Sequence, residues 1–90
     1  MLTIHDCTFD VRVTGWGSLT TLAESVAFDL VLDLLNMSPG HVQRLARSPV
    51  EMAKTRRVAM GRAATMAARR GKKMPQGCDI IVEVVSCPKG

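Results

Sequence analysis

The sequence predicts a small α+β domain spanning residues 1–90. The expected order is β-α-α-α-β: a long basic helix and an apolar helix packed on a short sheet, which dimerisation completes. Three observations carry this. The stretch "CTFDVRVTG" alternates apolar and polar residues with the two-residue period of a half-buried strand. Two Ser-Pro pairs, at Ser38-Pro39 and Ser48-Pro49, have the form of helix starts. The closing "CDIIVEVVSC" is the strongest strand signal in the chain.

In the first strand Cys7, Phe9, Val11 and Val13 point one way, and Thr8, Asp10, Arg12 and Thr14 the other. Leu2 and Ile4 have the opposite parity, which calls for a bulge or break near His5-Asp6. "GWGS" then turns the chain. Thr21 and Glu24 are spaced as a capping box, opening a helix that runs to about Asn36. Its polar side is a narrow stripe of Ser25, Asp29, Asp33 and Asn36, so it needs cover on more than one side.

Ser38 opens a short helix to about Ala46, and Ser48 with Glu51 opens a long one to about Arg70. Gly71 is placed to end it, with Pro75 and Gly77 preventing continuation. In the last strand Ile80, Val82 and Val84 line one face, and Ile81, Val85 and Cys87 the other. A strand apolar on both faces belongs inside a sheet or between layers. Two strands make a marginal sheet with too little area to cover helix 1, which is the reason for expecting a homodimer that joins two short sheets or pairs two copies of helix 1. The alternative is a third strand at Leu2–Ile4 that closes the monomer.

Size and composition bound the function. A chain of 90 residues, 47% hydrophobic, is one globular domain rather than a disordered tail. The three cysteines are odd in number and "MLTIHDCTFD" lacks a secretory leader. These features predict a cytoplasmic protein with reduced thiols. The most apolar run, "VAFDLVLDLL", is interrupted by Asp29 and Asp33, which argues against a membrane span.

Charge is segregated along the chain, whose net charge is +4. Residues 1–36 carry Asp6, Asp10, Glu24, Asp29 and Asp33 against Arg12 alone. Residues 37–77 carry Arg44, Arg47, Lys54, Arg56, Arg57, Arg62, Arg69, Arg70, Lys72 and Lys73 against Glu51 alone. Projected as a helix, residues 49–70 place Met52, Ala53, Ala59, Met60, Ala63, Ala64, Met66 and Ala67 on a core side. Lys54, Arg57, Arg62 and Arg69 share the other side, with Arg70 at its edge and Lys72 and Lys73 following. A face built for solubility mixes signs, and this one scarcely does.

The expected function is therefore a non-enzymatic binding module whose basic helix engages an acidic partner. Nucleic acid is the first candidate, through phosphate contacts and counterion release. Val58, apolar among the bases, is an expected contact point. The scarcity of aromatics argues against base stacking. The alternative is a small protein–protein adaptor or inhibitor, of the kind encoded by phages and mobile elements, acting on a host protein or nucleoprotein complex. Arg56 projects into the core side and needs an acid such as Asp29 or Asp33.

No catalytic residue, metal site or cofactor is expected. "GWGS" lacks the rest of a phosphate-binding motif, and its glycines suit a tight turn with Trp16 as a lid on the core. His5, Cys7, Cys78 and Cys87 have no metal-ligand spacing, and the cysteines are expected to be structural.

Overall fold

The structure is a computed structural model and describes residues 1–88. Three strands, β1 (Leu2–Ile4), β2 (Cys7–Thr14) and β3 (Asp79–Ser86), form an antiparallel sheet of order β1-β2-β3. Three helices, α1 (Thr20–Asn36), α2 (Pro39–Arg47) and α3 (Pro49–Arg69), lie between β2 and β3 in sequence.

The order is thus β-β-α-α-α-β, which corrects the expected β-α-α-α-β. Leu2–Ile4 forms the third strand of the alternative expectation, so the two-strand ground for expecting a homodimer falls away. The break at His5-Asp6 is a chain reversal: Ile4 pairs with Cys7, and both turn residues have positive φ, 49° and 69°. This is the signature of a tight two-residue hairpin, whose twist suits the flanking strands. A two-residue turn also explains the parity change. It sets Leu2 opposite Phe9 and Ile4 opposite Cys7, so Ile4, Cys7 and Phe9 all reach the core.

Two corrections concern helix 1 and the last strand. Thr21 does not cap α1. A 3₁₀ turn (Gly17–Leu19) feeds the helix directly, and the Thr20 hydroxyl donates to the Gly17 carbonyl at 2.7 Å. β3 is an edge strand, not an internal one. Ile80 and Val82 are buried against the helices, while Glu83, Val84 and Val85 are exposed. On the outer face of the sheet Arg12 of β2 pairs with Glu83 at 2.7 Å, so that face is wet.

The helix caps at Ser38 and Ser48 form as their chemistry requires. Each hydroxyl accepts from the backbone N–H three residues on, His41 and Glu51, at 3.2 Å. The Glu51 carboxylate turns to Lys54 instead of reaching back. The core is largely aliphatic: Trp16, Phe9 and Cys7 are buried among Leu22, Val26, Leu34 and Ile80.

Cys7 and Cys87 are joined in a disulfide, which corrects the expectation of reduced thiols, and Cys78 remains free. A register shift brings the pair together. Phe9 faces Val84 but Thr8 faces Ser86, so one residue of β3 is skipped and Cys87 falls opposite Cys7, with Cα atoms 4.2 Å apart. By strict alternation Cys87 belongs to the other face. Nearby, the Arg47 guanidinium donates to the Pro88 carbonyl. The bridge closes a chain separation of 80 residues. Breaking it with a thiol reductant, or by Cys87→Ala, is expected to remove about 2–4 kcal/mol of stability. Thermal melts with and without reductant check this; coincident melts would refute it.

Candidate basic interface

The basic surface is carried by α3. Its start is fixed by Ser48 and Pro49, its end by Gly71 at φ 68°. There the Lys72 N–H donates to the Ala67 carbonyl and the Gly71 N–H to Ala68, the reciprocal pattern of a glycine-terminated helix. Met52, Ala59, Ala63 and Ala67 are buried, with Met60 and Met66 half-buried beside them. Ala53 and Ala64, expected on this core side, are exposed. The helix is covered on a narrower arc than its composition indicates, with α1, β3 and α2 packed against it.

Arg56 is half-buried, as its position on the core side requires, but its partner is neither Asp29 nor Asp33. Its Nη2 donates to the Asp79 carboxylate at 2.6 Å and its Nε to the Ile80 carbonyl at 3.0 Å. Asp79 also accepts from the Ile80 N–H, and its own carbonyl accepts from the Trp16 indole N–H at 2.8 Å. Arg56 thus fastens α3 to the start of β3 and occupies backbone groups there. Asp33 is taken instead by Arg62, at 3.0 Å.

The expected interface residues divide into three groups. Lys54 and Arg57 lie on the outward side of the first half of α3, and Lys54 is shared with Glu51 at 3.5 Å. Arg62 and Arg69, two turns apart, flank a shallow depression of about 450 Å³ with Gly61, Thr65 and Met66. Arg70, Lys72 and Lys73 follow at the helix end, all exposed. Among the described residues, Arg57, Arg69, Arg70, Lys72 and Lys73 have no ion pair. From Lys54 to Arg69 the strip is about 22 Å long at the helical rise per residue.

Val58 is 59% exposed at the rim of a smaller groove, about 190 Å³, between α1 and α3, lined also by Leu30, Asp33, Met37 and Arg62. A second surface is the side of α1 that remains uncovered, where its apolar sequence calls for cover. On α1, Phe28, Leu32 and Leu35 are exposed. Their four- and three-residue spacing sets them in one stripe, a signal that the apolar character of the whole helix hides.

The weaker motifs resolve as structure. Trp16 is buried between Gly15 and Gly17, both at positive φ. A Cβ on Gly15 would stand 3.1 Å from the Gly77 carbonyl, so the turn also needs glycine for close approach. With Cys7 bound to Cys87, the set His5, Cys7, Cys78 and Cys87 does not assemble. Among the described residues no three or more metal-ligating side chains come together. No helix among them is long and apolar enough to cross a membrane.

These features define a small α+β domain with three helices and a three-stranded antiparallel sheet. No protein-family model matches the chain, and no curated protein or solved structure matches it either.

Proposed function

We propose that the domain is a non-enzymatic binding module whose α3 strip engages an acidic partner, nucleic acid being the first candidate. The observation that carries this is the cluster of Arg69, Arg70, Lys72 and Lys73. Four bases stand within five residues, exposed and without an ion pair among the described residues. An isolated surface charge needs no partner, but four unscreened like charges repel one another, and a polyanion relieves that repulsion. Arg57 and the shared Lys54 and Arg62 extend the strip; Val58 supplies an apolar contact at its margin.

Such a module works as a homodimer, with two strips on one partner. The Cys7–Cys87 bridge, which a reducing cytoplasm would open, bears against the cytoplasmic location expected from the sequence. The test is fluorescence anisotropy with labelled duplex DNA and RNA of unrelated sequence between 50 and 200 mM salt, salt concentrations at which phosphate contacts dominate. Binding to both, weakening steeply with salt, is expected. No binding at the lowest salt refutes the nucleic-acid reading.

A specific observation favours a second reading. The exposed stripe on α1 is the kind of surface a protein partner covers. An adaptor or inhibitor of the phage or mobile-element kind would use it, with the basic strip meeting an acidic protein.

A further inference from the structure

We propose that the α1 stripe is the surface through which two copies of this chain pair, their α1 helices packed antiparallel about a two-fold axis. This rests on the homodimer reading but not on the nucleic-acid one. Phe28 is 63% exposed, Leu32 40% and Leu35 49%. Leu22, Val26, Leu30 and Leu34 hold the opposite side of the helix in the core. One of only two phenylalanines in the chain is therefore spent on the surface.

The stripe does not stop at the helix. Phe28 also lines an open apolar groove of about 260 Å³ between α1 and the strands, together with Val31, Leu2, Val11 and Val13. Leu2 is itself 40% exposed. The contiguous apolar area is on the order of 400 Å² per copy, within the span of a monomer's largest and often functional patch. A two-fold contact counts that area twice. With a polar rim it reaches roughly the 1,200 Å² at which specific interfaces begin.

Charge selects the second copy and its direction. The α1 sequence contains no base; Glu24 is exposed near its N-terminal end, Asp29 is exposed at its middle, and Asp33 nearer the C-terminal end is taken by Arg62. Beyond its C-terminal end comes α2, which contains no acid and carries His41, Arg44 and Arg47. Arg44 is exposed, beside a groove that it lines with His41, Ser48 and Glu51. An antiparallel pair sets Phe28 of each copy against Leu35 of the other and brings each Glu24 toward the second copy's Arg44. A parallel pair sets like charge against like. Such a surface is self-complementary, as an isologous interface requires.

The competing surface, the free edge of β3, is less suited. Arg56 and Asp79 occupy the backbone groups of Ile80, and the register shift near Val84 disturbs the rest. Pairing through α1 also leaves the α3 strip uncovered.

Sedimentation equilibrium from 1 to 100 µM tests the proposal. The parent chain is expected to dimerise and Phe28→Glu to remain monomeric throughout, a loss of at least a hundredfold. Because Phe28 is exposed, the helical circular dichroism should be unchanged; Leu35→Ser is the second variant should it change. At low salt Glu24→Lys should weaken pairing several-fold, and Glu24→Lys with Arg44→Glu should restore it. A parent chain that is monomeric at 100 µM overturns the homodimer itself. A dimer that survives Phe28→Glu and Leu35→Ser, but dissociates on Val84→Glu, keeps the homodimer and overturns α1 as its surface. Tighter pairing in Glu24→Lys alone overturns the antiparallel arrangement.

Discussion

Replacing Trp16 with alanine is expected to destabilise the domain by about 3–5 kcal/mol, which is a large part of the stability of a fold this small. The side chain is 1% exposed and among the largest of the fully buried ones. It sits where β2 ends, the 3₁₀ turn begins and β3 starts, so a cavity there loosens three elements together. Its indole N–H holds the Asp79 carbonyl, and the Asp79 carboxylate holds Arg56 of α3. The glycines on either side are fixed at positive φ, which limits how far the turn can collapse into the space. A fall in melting temperature of roughly 15–30 °C follows for a domain of this size. Trp16→Phe keeps most of the volume and loses only the hydrogen bond, for about 1–2 kcal/mol. An alanine variant that melts within a few degrees of the parent would show that Trp16 is a surface lid and not an anchor.

The parts of this fold that could be read in advance are those set by neighbours in the chain. Ser38, Ser48 and Gly71 act within a turn of themselves, so their roles follow from residue type and spacing. The exposure of Lys54, Arg57, Arg62 and Arg69 follows from helical period in the same way, while Arg70, Lys72 and Lys73 are exposed at and beyond the helix end. What escaped depends on distant pairing. His5-Asp6 is not a typical hairpin dipeptide, and only the pairing of Leu2 with Phe9 shows that the chain reverses there. The cysteine bridge depends on a single skipped residue in β3, and no alternation rule yields it. Arg56 needed an acid, and the sequence offered several; the crossing of α3 over the start of β3 selects Asp79. The same limit applies to the basic strip. Only tertiary structure shows that Arg62 is shared with Asp33 while Arg69 and its neighbours are not.

That difference between shared and unshared bases gives the second large effect. Changing Arg69, Arg70, Lys72 and Lys73 together to glutamine is expected to lower affinity for duplex nucleic acid on the order of a hundredfold or more at 50 mM salt. The slope of log affinity against log salt should flatten by about one unit for each phosphate contact removed. The helix should persist, because glutamine is nearly as good a helix former as arginine and lysine and Gly71 keeps the terminating turn. Arg62→Gln should have a smaller effect, since Arg62 already spends part of its charge on Asp33. Removing Asp33 by Asp33→Asn should then raise affinity modestly by releasing that arginine. Preference among sequences should hardly change, because phosphate contacts position a protein without reading bases. The protein-partner reading predicts otherwise: no nucleic-acid affinity in the parent at 50 mM salt, and loss of one specific partner when Val58 or Arg57 is altered. If the fourfold variant binds nucleic acid with the parent's affinity and slope, the strip at the end of α3 is a solvated surface, and the bound site lies elsewhere on the domain.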